Sequence, residues 1–181
     1  MKQLAFLLLL AILFSTCQSD DDTDPFNEEL AIDIVTGLQT RDINGAPIGA
    51  LGNPNTLSGE VDFYPNPALG SANIQYFGGN NLQVTQYWII PGERNTDYAD
   101  INYGSLLRND TYSADEVSDL NSVQTNLVNL SAFAVLLDDL TPGYYRIFYL
   151  MSDGTLLWDN IYVDPSASSP DDLRNEVSMD W

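Results

Sequence analysis

The stretch that decides the fold is Tyr144-Tyr145-Arg146-Ile147-Phe148-Tyr149-Leu150-Met151, then Ser152-Asp153-Gly154-Thr155, then Leu156-Leu157-Trp158-Asp159-Asn160-Ile161-Tyr162-Val163. Two runs rich in aromatic and β-branched residues flank an Asp-Gly pair, the strongest short-range signal for a β-hairpin. A two-residue type I′ turn centred on Asp153 and Gly154 would pair Met151 with Leu156, Tyr149 with Trp158 and Tyr145 with Tyr162 on one face. It would place Leu150 with Leu157, and Phe148 opposite Asp159, on the other. Both faces then carry apolar groups, so the hairpin is expected at the centre of the molecule.

Working outward, period-2 alternation recurs along the chain. Ile32 and Ile34 alternate with Asp33 and Val35 as a strand, and Val61 and Phe63 face one side of another that Pro65 and Pro67 terminate. Ala72, Ile74 and Tyr76 form the apolar side of the next. In the following strand Leu82, Val84, Trp88 and Ile90 point to the core, leaving Gln83, Thr85, Tyr87 and Ile89 outside; Pro91-Gly92 stops it. Phe133 to Leu137 is a continuous apolar run. Residues 41–59, dense in Asn, Pro and Gly, read as a long loop by their turn chemistry. Between 105 and 130, Ser113-Ala114-Asp115-Glu116 is a capping box followed by Val117 and Leu120 at helical spacing, which predicts one short helix within irregular chain. That insertion is placed to cover Phe148, Leu150 and Leu157. Six or more strands with so little helix predict an all-β fold, an antiparallel Ig-like β-sandwich with a short helical insertion.

The chain has 181 residues with 26 acids against 6 bases, a formal charge of −20, no histidine and a single cysteine. An excess of acid on this scale is repelled by phosphate backbones, so nucleic acid is excluded as a partner. It also disfavours electrostatic docking on anionic lipid, so membrane association has to come from apolar insertion or a covalent lipid. At 44% apolar residues the composition is nevertheless that of a globular chain of one domain.

The N-terminus supplies such a lipid. Lys2 precedes the apolar run Leu4 to Phe14, whose eleven residues would make a helix of roughly 16 Å, half of what a bilayer requires. The run therefore reads as a signal-peptide h-region over residues 1–16. Phe14-Ser15-Thr16-Cys17 resembles a lipobox, and Ser19-Asp20-Asp21-Asp22 resembles the surface-export signal of Bacteroidota lipoproteins. The resemblance implies acylation at Cys17, attachment to the outer membrane and display at the cell surface. Residues 17–29 are then an acidic tether, 30–163 the sandwich domain and 164–181 an acidic C-terminal tail. So divided, the domain carries 15 acids against 4 arginines, and nearly half of the charge imbalance belongs to its flanks.

A second resemblance covers residues 59–163. Tyr64-Pro65-Asn66-Pro67, followed by an alternating strand, and Leu140-Thr141-Pro142-Gly143-Tyr144-Tyr145, opening a later one, look like the Ig-like C-terminal sorting domain of type IX secretion cargo. It implies a sandwich with a tyrosine corner, in which the Tyr145 ring is buried and its hydroxyl bonds backbone upstream. A sorting domain trails a large passenger, however, and this chain has a lipid route of its own, so the resemblance bears on the fold before the secretion role.

Elimination narrows the chemistry. Without histidine there is no Ser-His-Asp triad or imidazole zinc ligand; with Cys17 acylated there is no thiolate; and a mature chain without lysine has no Schiff base and no P-loop. Carboxylate chemistry is what survives. Asp138-Asp139, alternating across a strand end, would not converge on one site, so a glycoside hydrolase is the lesser alternative. Asp97, Asp100 and Asn102 make a weak calcium site that lacks the closing acidic ligand of an EF-hand; no other cofactor is expected. The expected function is a monomeric, non-enzymatic binding or accessory module for a glycan or protein ligand, with Tyr64, Tyr87 and Phe148 as candidate contact rings. A type IX sorting domain is the other alternative.

Overall fold

A computed structural model describes residues 32–97 and 112–181. These form eleven strands and two helices: β1 (Ile34–Val35), β2 (Gly37–Arg41), β3 (Pro47–Gly52), β4 (Val61–Tyr64), β5 (Ser71–Tyr76), β6 (Val84–Pro91), β7 (Glu93–Arg94), α1 (Ala114–Ser118), β8 (Gln124–Leu130), β9 (Ala132–Leu136), β10 (Gly143–Met151), β11 (Leu156–Val163) and α2 (Pro170–Ser178). The fold is all-β and built on antiparallel sheets. A four-stranded sheet in the order β11-β10-β6-β8 faces a three-stranded sheet β4-β5-β9, while β2-β3 is a separate hairpin and β1-β7 a short parallel pair.

Between the two large sheets lies the main core. Val61, Phe63, Ala72, Ile74 and Val135 from one side meet Val84, Tyr87, Ile89, Tyr145, Ile147, Tyr149 and Ile161 from the other. The outer face of the four-stranded sheet is also buried. At one end Trp88, Phe148, Leu156 and Trp158 pack under Tyr112 and the α1 residue Val117; at the other, Tyr144 and Tyr162 pack with Val35, Leu38 and the α2 residues Leu173 and Val177. Burial on both faces is why β10 and β11 read as nearly continuous apolar runs rather than as alternation.

The central hairpin is confirmed but its register is shifted by one residue. Leu150 pairs with Leu156, Tyr149 with Leu157 and Phe148 with Trp158. The loop holds three residues, Ser152 to Gly154, because Met151 N–H donates to the Thr155 carbonyl at 2.8 Å and Gly154 N–H to the Met151 carbonyl at 3.0 Å. Gly154, at φ +88°, takes the left-handed position that closes such a loop. With a side-chain period of two, this single residue exchanges the partners across both faces.

Strand β6 departs from simple alternation for a related reason. Leu150 pairs with Gln86 but Met151 with Val84, so Thr85 is an extra, bulged residue whose hydroxyl donates to the Leu150 carbonyl at 2.9 Å. After the bulge the parity inverts. Tyr87 and Ile89 point between the sheets with Val84, while Trp88 and Ile90 point to the second core.

Three further segments differ from expectation. The supposed loop at 41–59 contains the hairpin β2-β3, turned at Asn44-Gly45, where the Asp42 carboxylate accepts from the N–H groups of Asn44 and Ala46. Residues 124–130, expected as irregular chain after the helix, form β8. The helix itself is present, with Ser113 and Glu116 making both hydrogen bonds of the capping box. Finally, 164–181 is no loose tail: Ser169 caps α2, Pro170 opens it, and Leu173 and Val177 are buried four residues apart on one face.

Candidate functional site

Four segments distant in sequence place charged and amide side chains inside the molecule. Arg146, fully buried on β10, uses all five guanidinium donors: Nε to Asn160 Oδ1 at 3.0 Å, one terminal nitrogen to the Ile32 carbonyl and the Tyr112 hydroxyl, the other to the Ile34 carbonyl and Asn55 Oδ1. Burial lowers its pKa, and the Tyr112 hydroxyl, Asp33 and Asp159 oppose that shift. Asn160 adds bonds to Asn55 Oδ1 and the Gly37 carbonyl. The network ties β1, β2 and the 53–57 segment to the sheet.

On the inner face Asp159 and the partly exposed Asp62 share Arg41, at 3.2 and 2.9 Å. The Asp159 carboxyl is pushed up to about 6 by burial, against the pull of the Arg41 charge and the Asn160 N–H. Folded protein therefore holds this proton more tightly than unfolded chain, and the stability it contributes is present below the ordinary carboxylate pKa and lost as pH rises through 6. We expect Asp159→Asn to match the parent in urea unfolding near pH 4 and to exceed it by about 2–3 kcal/mol at pH 7; a constant offset across that range would refute the shift. Asp159 is closed off from substrate, since the adjacent cavity of about 330 Å³ is lined by Arg41, Ile43, Ile48, Pro67, Pro170 and Arg174 but not by Asp159. Arg174, at its rim, is paired with Asp171 at 2.9 Å.

The candidate contact rings separate. Tyr87 is buried, stacked on Phe133 at 5.7 Å, and its hydroxyl accepts from Gln124 and Asn126. Phe148 is also buried, at 5.8 Å from the Tyr112 ring. Neither is an outward ring: the Thr85 bulge turned Tyr87 inward, and Tyr112 with α1 covers Phe148. Tyr64 remains half-buried, donating to Gln75 Oε1 at 2.8 Å with Gly45 against its ring. The three do not form one site.

Asp97 is exposed, and its N–H donates to Asn95 Oδ1. Asp100 and Asn102 lie outside the described residues, as do Cys17, Ser19, Asp20, Asp21 and Asp22. No group of three acidic side chains converges as a cation site among the described residues.

Asp138 and Asp139 require a correction. Strand β9 ends at Leu136, and both aspartates occupy a turn closed by the Leu140 N–H on the Leu137 carbonyl at 3.0 Å, so strand parity does not govern them. Both line one groove of about 540 Å³ together with Val123, Gln124, Leu136 and Tyr145. Tyr145 sits behind it as a tyrosine corner, its hydroxyl donating to the Thr141 carbonyl at 2.6 Å. The groove lies at the end of the two sheets where β8 begins and β9 finishes, opposite the Ser131 bend that joins them. Its lining combines the apolar Val123, Leu136 and Leu140 with two exposed carboxylates.

Compared with known proteins, the chain matches no family model, no curated protein and no solved structure.

Proposed function

We propose that this chain is a lipid-anchored, non-enzymatic binding or accessory module, monomeric, attached to the outer membrane and facing the cell surface. The observation that carries the binding reading is the groove between β8 and β9, open to solvent, while the buried charges inside the sandwich are spent on holding its own segments together. An Ig-like sandwich suits the role. The orders β4-β5-β9 and β11-β10-β6-β8 correspond to the A-B-E and G-F-C-C′ sheets of such domains, and the Tyr145 corner stands at the start of the strand corresponding to F. Support for the anchor comes from Phe14-Ser15-Thr16-Cys17, and for the outward address from Ser19-Asp20-Asp21-Asp22.

The experiment is fractionation of cells carrying the parent or Cys17→Ala. The parent is expected in the membrane fraction and sensitive to added protease on intact cells, with the variant released to soluble material. An unchanged membrane fraction for the variant would sink the anchor. Protection of the parent on intact cells would sink the outward orientation.

A further inference from the structure

Four connections meet at the end of the sandwich opposite the Asp138–Asp139 groove. Phe77 N–H donates to the Glu60 carbonyl at 2.8 Å, Tyr76 N–H to the Ser131 carbonyl at 2.7 Å and Ser152 N–H to the Gln83 carbonyl at 2.8 Å. These bonds draw together the chain entering β4 at 58–60, the β5-β6 loop at 77–83, the Ser131 bend between β8 and β9, and the Ser152–Gly154 loop between β10 and β11. Among them lies a cavity of about 250 Å³ lined by Tyr76, Gly78, Asn81, Leu82, Gln83 and Ser131. Its walls come from both sheets and from the bend that joins them. A Cβ on Gly78 would collide with the Tyr76 hydroxyl and the Glu60 carboxylate, themselves hydrogen bonded at 3.1 Å, so glycine is what lets the loop close down on that pair. Asn81 takes the left-handed conformation at φ +53°, which asparagine tolerates. Gln83 is held by its backbone, whose N–H donates to Ser152 Oγ at 3.2 Å. The exposed side-chain amides of Asn81 and Gln83 have no hydrogen-bond partner among the described residues. Phe77 and Leu130, each adjoining a lining residue in the chain, are 56% and 47% exposed.

Composition and size decide what fits. Tyr, Ser, Gly and Asn, which recur through these loops, are the residues that recognition loops on sandwich scaffolds use, since they give contact area and adaptable hydrogen bonding at low entropic cost. No arginine or lysine occurs in 58–60, 76–84, 129–132 or 151–155, and Glu60 and Asp153 are the charged residues there. A ligand bearing carboxylate, sulfate or phosphate would meet those acids, and a chain of net charge −20, with nothing to offset its own charge. A stable protein partner covers about 800 Å² on each side. This cavity is smaller than the about 300–1,000 Å³ of sites for drug-sized molecules, which suits a single ring. Free amides and hydroxyls that both donate and accept match neighbouring hydroxyls on such a ring, and the exposed Phe77 ring offers an apolar face to its C–H side. We infer that this end of the sandwich binds an uncharged sugar ring, either a free saccharide or one residue of a glycan. The inference rests on the binding-module reading and names a ligand class for it. The site also faces away from the side on which the N-terminal chain joins the sandwich, because β1 pairs with Glu93 and Arg94, beyond the last residue of β6.

The test uses the full-length acylated protein in a zwitterionic detergent, so that no sugar comes from the micelle. Calorimetry measures binding of the methyl glycosides of glucose, galactose, mannose, xylose and N-acetylglucosamine, of the matching tetrasaccharides, and of methyl galacturonate glycoside as the charged control. At least one neutral sugar is expected to bind with a dissociation constant of about 1 mM or tighter, and the galacturonate about tenfold or more weakly. Phe77→Ala should weaken that sugar about tenfold and Gln83→Ala about fivefold, with the melting temperature within about 2 °C of the parent because both side chains are exposed. Phe77→Trp, which keeps a ring face, should restore binding. Leu136→Ala, in the groove at the other end, should leave it unchanged. A methyl glycoside that binds as tightly as its tetrasaccharide identifies a free saccharide, and a tighter tetrasaccharide identifies a glycan; either supports the inference. No binding of any neutral sugar, equal binding of the galacturonate, or an unchanged affinity in Phe77→Ala and Gln83→Ala overturns it. Binding lost in Leu136→Ala but kept in Phe77→Ala moves the ligand to the groove, which overturns the inference and leaves the binding module intact. Conversely, a Cys17→Ala protein that fractionates like the parent but binds the sugar loses the anchor and keeps the inference.

Discussion

Arg146→Met is expected to cost about 3–5 kcal/mol in urea unfolding, enough to leave a domain of ordinary stability only marginally folded. Arg146 sits in the four-stranded sheet with no exposed surface, and its guanidinium is the donor for two backbone carbonyls, two amide oxygens and a phenol. Methionine fills much of the volume and removes the charge, so the loss isolates the acceptors. The carbonyls of Ile32 and Ile34 and Asn160 Oδ1 would remain in the interior unbonded, and each buried unsatisfied group costs about 1–3 kcal/mol. Lysine keeps the charge but brings three donors on one nitrogen in place of a planar fork of five, so Arg146→Lys should recover only part of the loss. Unchanged stability of the methionine variant would show that the network holds nothing. Preferential release of the chain before Thr36, read as faster amide exchange there, is the local sign that the link to β1 has been cut.

Deleting residues 169–181 is expected to lower the melting temperature by about 5–15 °C. Leu173 and Val177 are almost fully buried against Val35 and Leu38, and Trp181 stacks edge-on against Tyr144 at 5.9 Å. Burial of two such side chains contributes about 3–6 kcal/mol, and a net loss of about 2–4 kcal/mol corresponds to a shift of this size in a domain of about 150 residues. The sign is the informative part. An acidic tail that touched nothing would, when removed, relieve self-repulsion and raise the melting temperature or leave it unchanged. The helix also brings polar ties: the Tyr144 hydroxyl donates to the Asp180 carboxylate at 2.7 Å, Arg94 donates to the Asp180 carbonyl, and the Arg94 guanidinium lies over the Trp181 ring.

Most strands were legible because period-2 alternation is a local property. Val61-Phe63, Ala72-Ile74 and the runs flanking Asp153-Gly154 announce themselves without knowledge of their partners, and Ser113 with Glu116 announces a helix start in the same way. The tail could have been read too: Ser169-Pro170-Asp171-Asp172 is a helix start and Leu173-Val177 an apolar step of one turn. The same holds for β2-β3, since Asn44-Gly45 is a hairpin turn signal that the surrounding Pro and Gly obscured. Arg146 offered one clue, being the only charged residue from Tyr144 to Met151. Its five acceptors are scattered from Ile32 to Asn160, and no local pattern assembles them.

The sequence by itself determined that this is an all-β chain with a central Tyr144–Val163 hairpin, that it has no histidine, a single cysteine and no lysine beyond Lys2, and that its charge lies heavily toward its ends. Only the tertiary structure decided which face each side chain takes. One extra residue, in the Ser152–Gly154 loop or at the Thr85 bulge, reverses every partner beyond it, and whether it is accommodated depends on packing from other strands. The Thr85 bulge buried Tyr87, and packing of Tyr112 and α1 from a distant segment buried Phe148. That β8 and β9 each end a sheet among the described residues is likewise a product of topology, since a strand becomes an edge only when no other strand lies beside it.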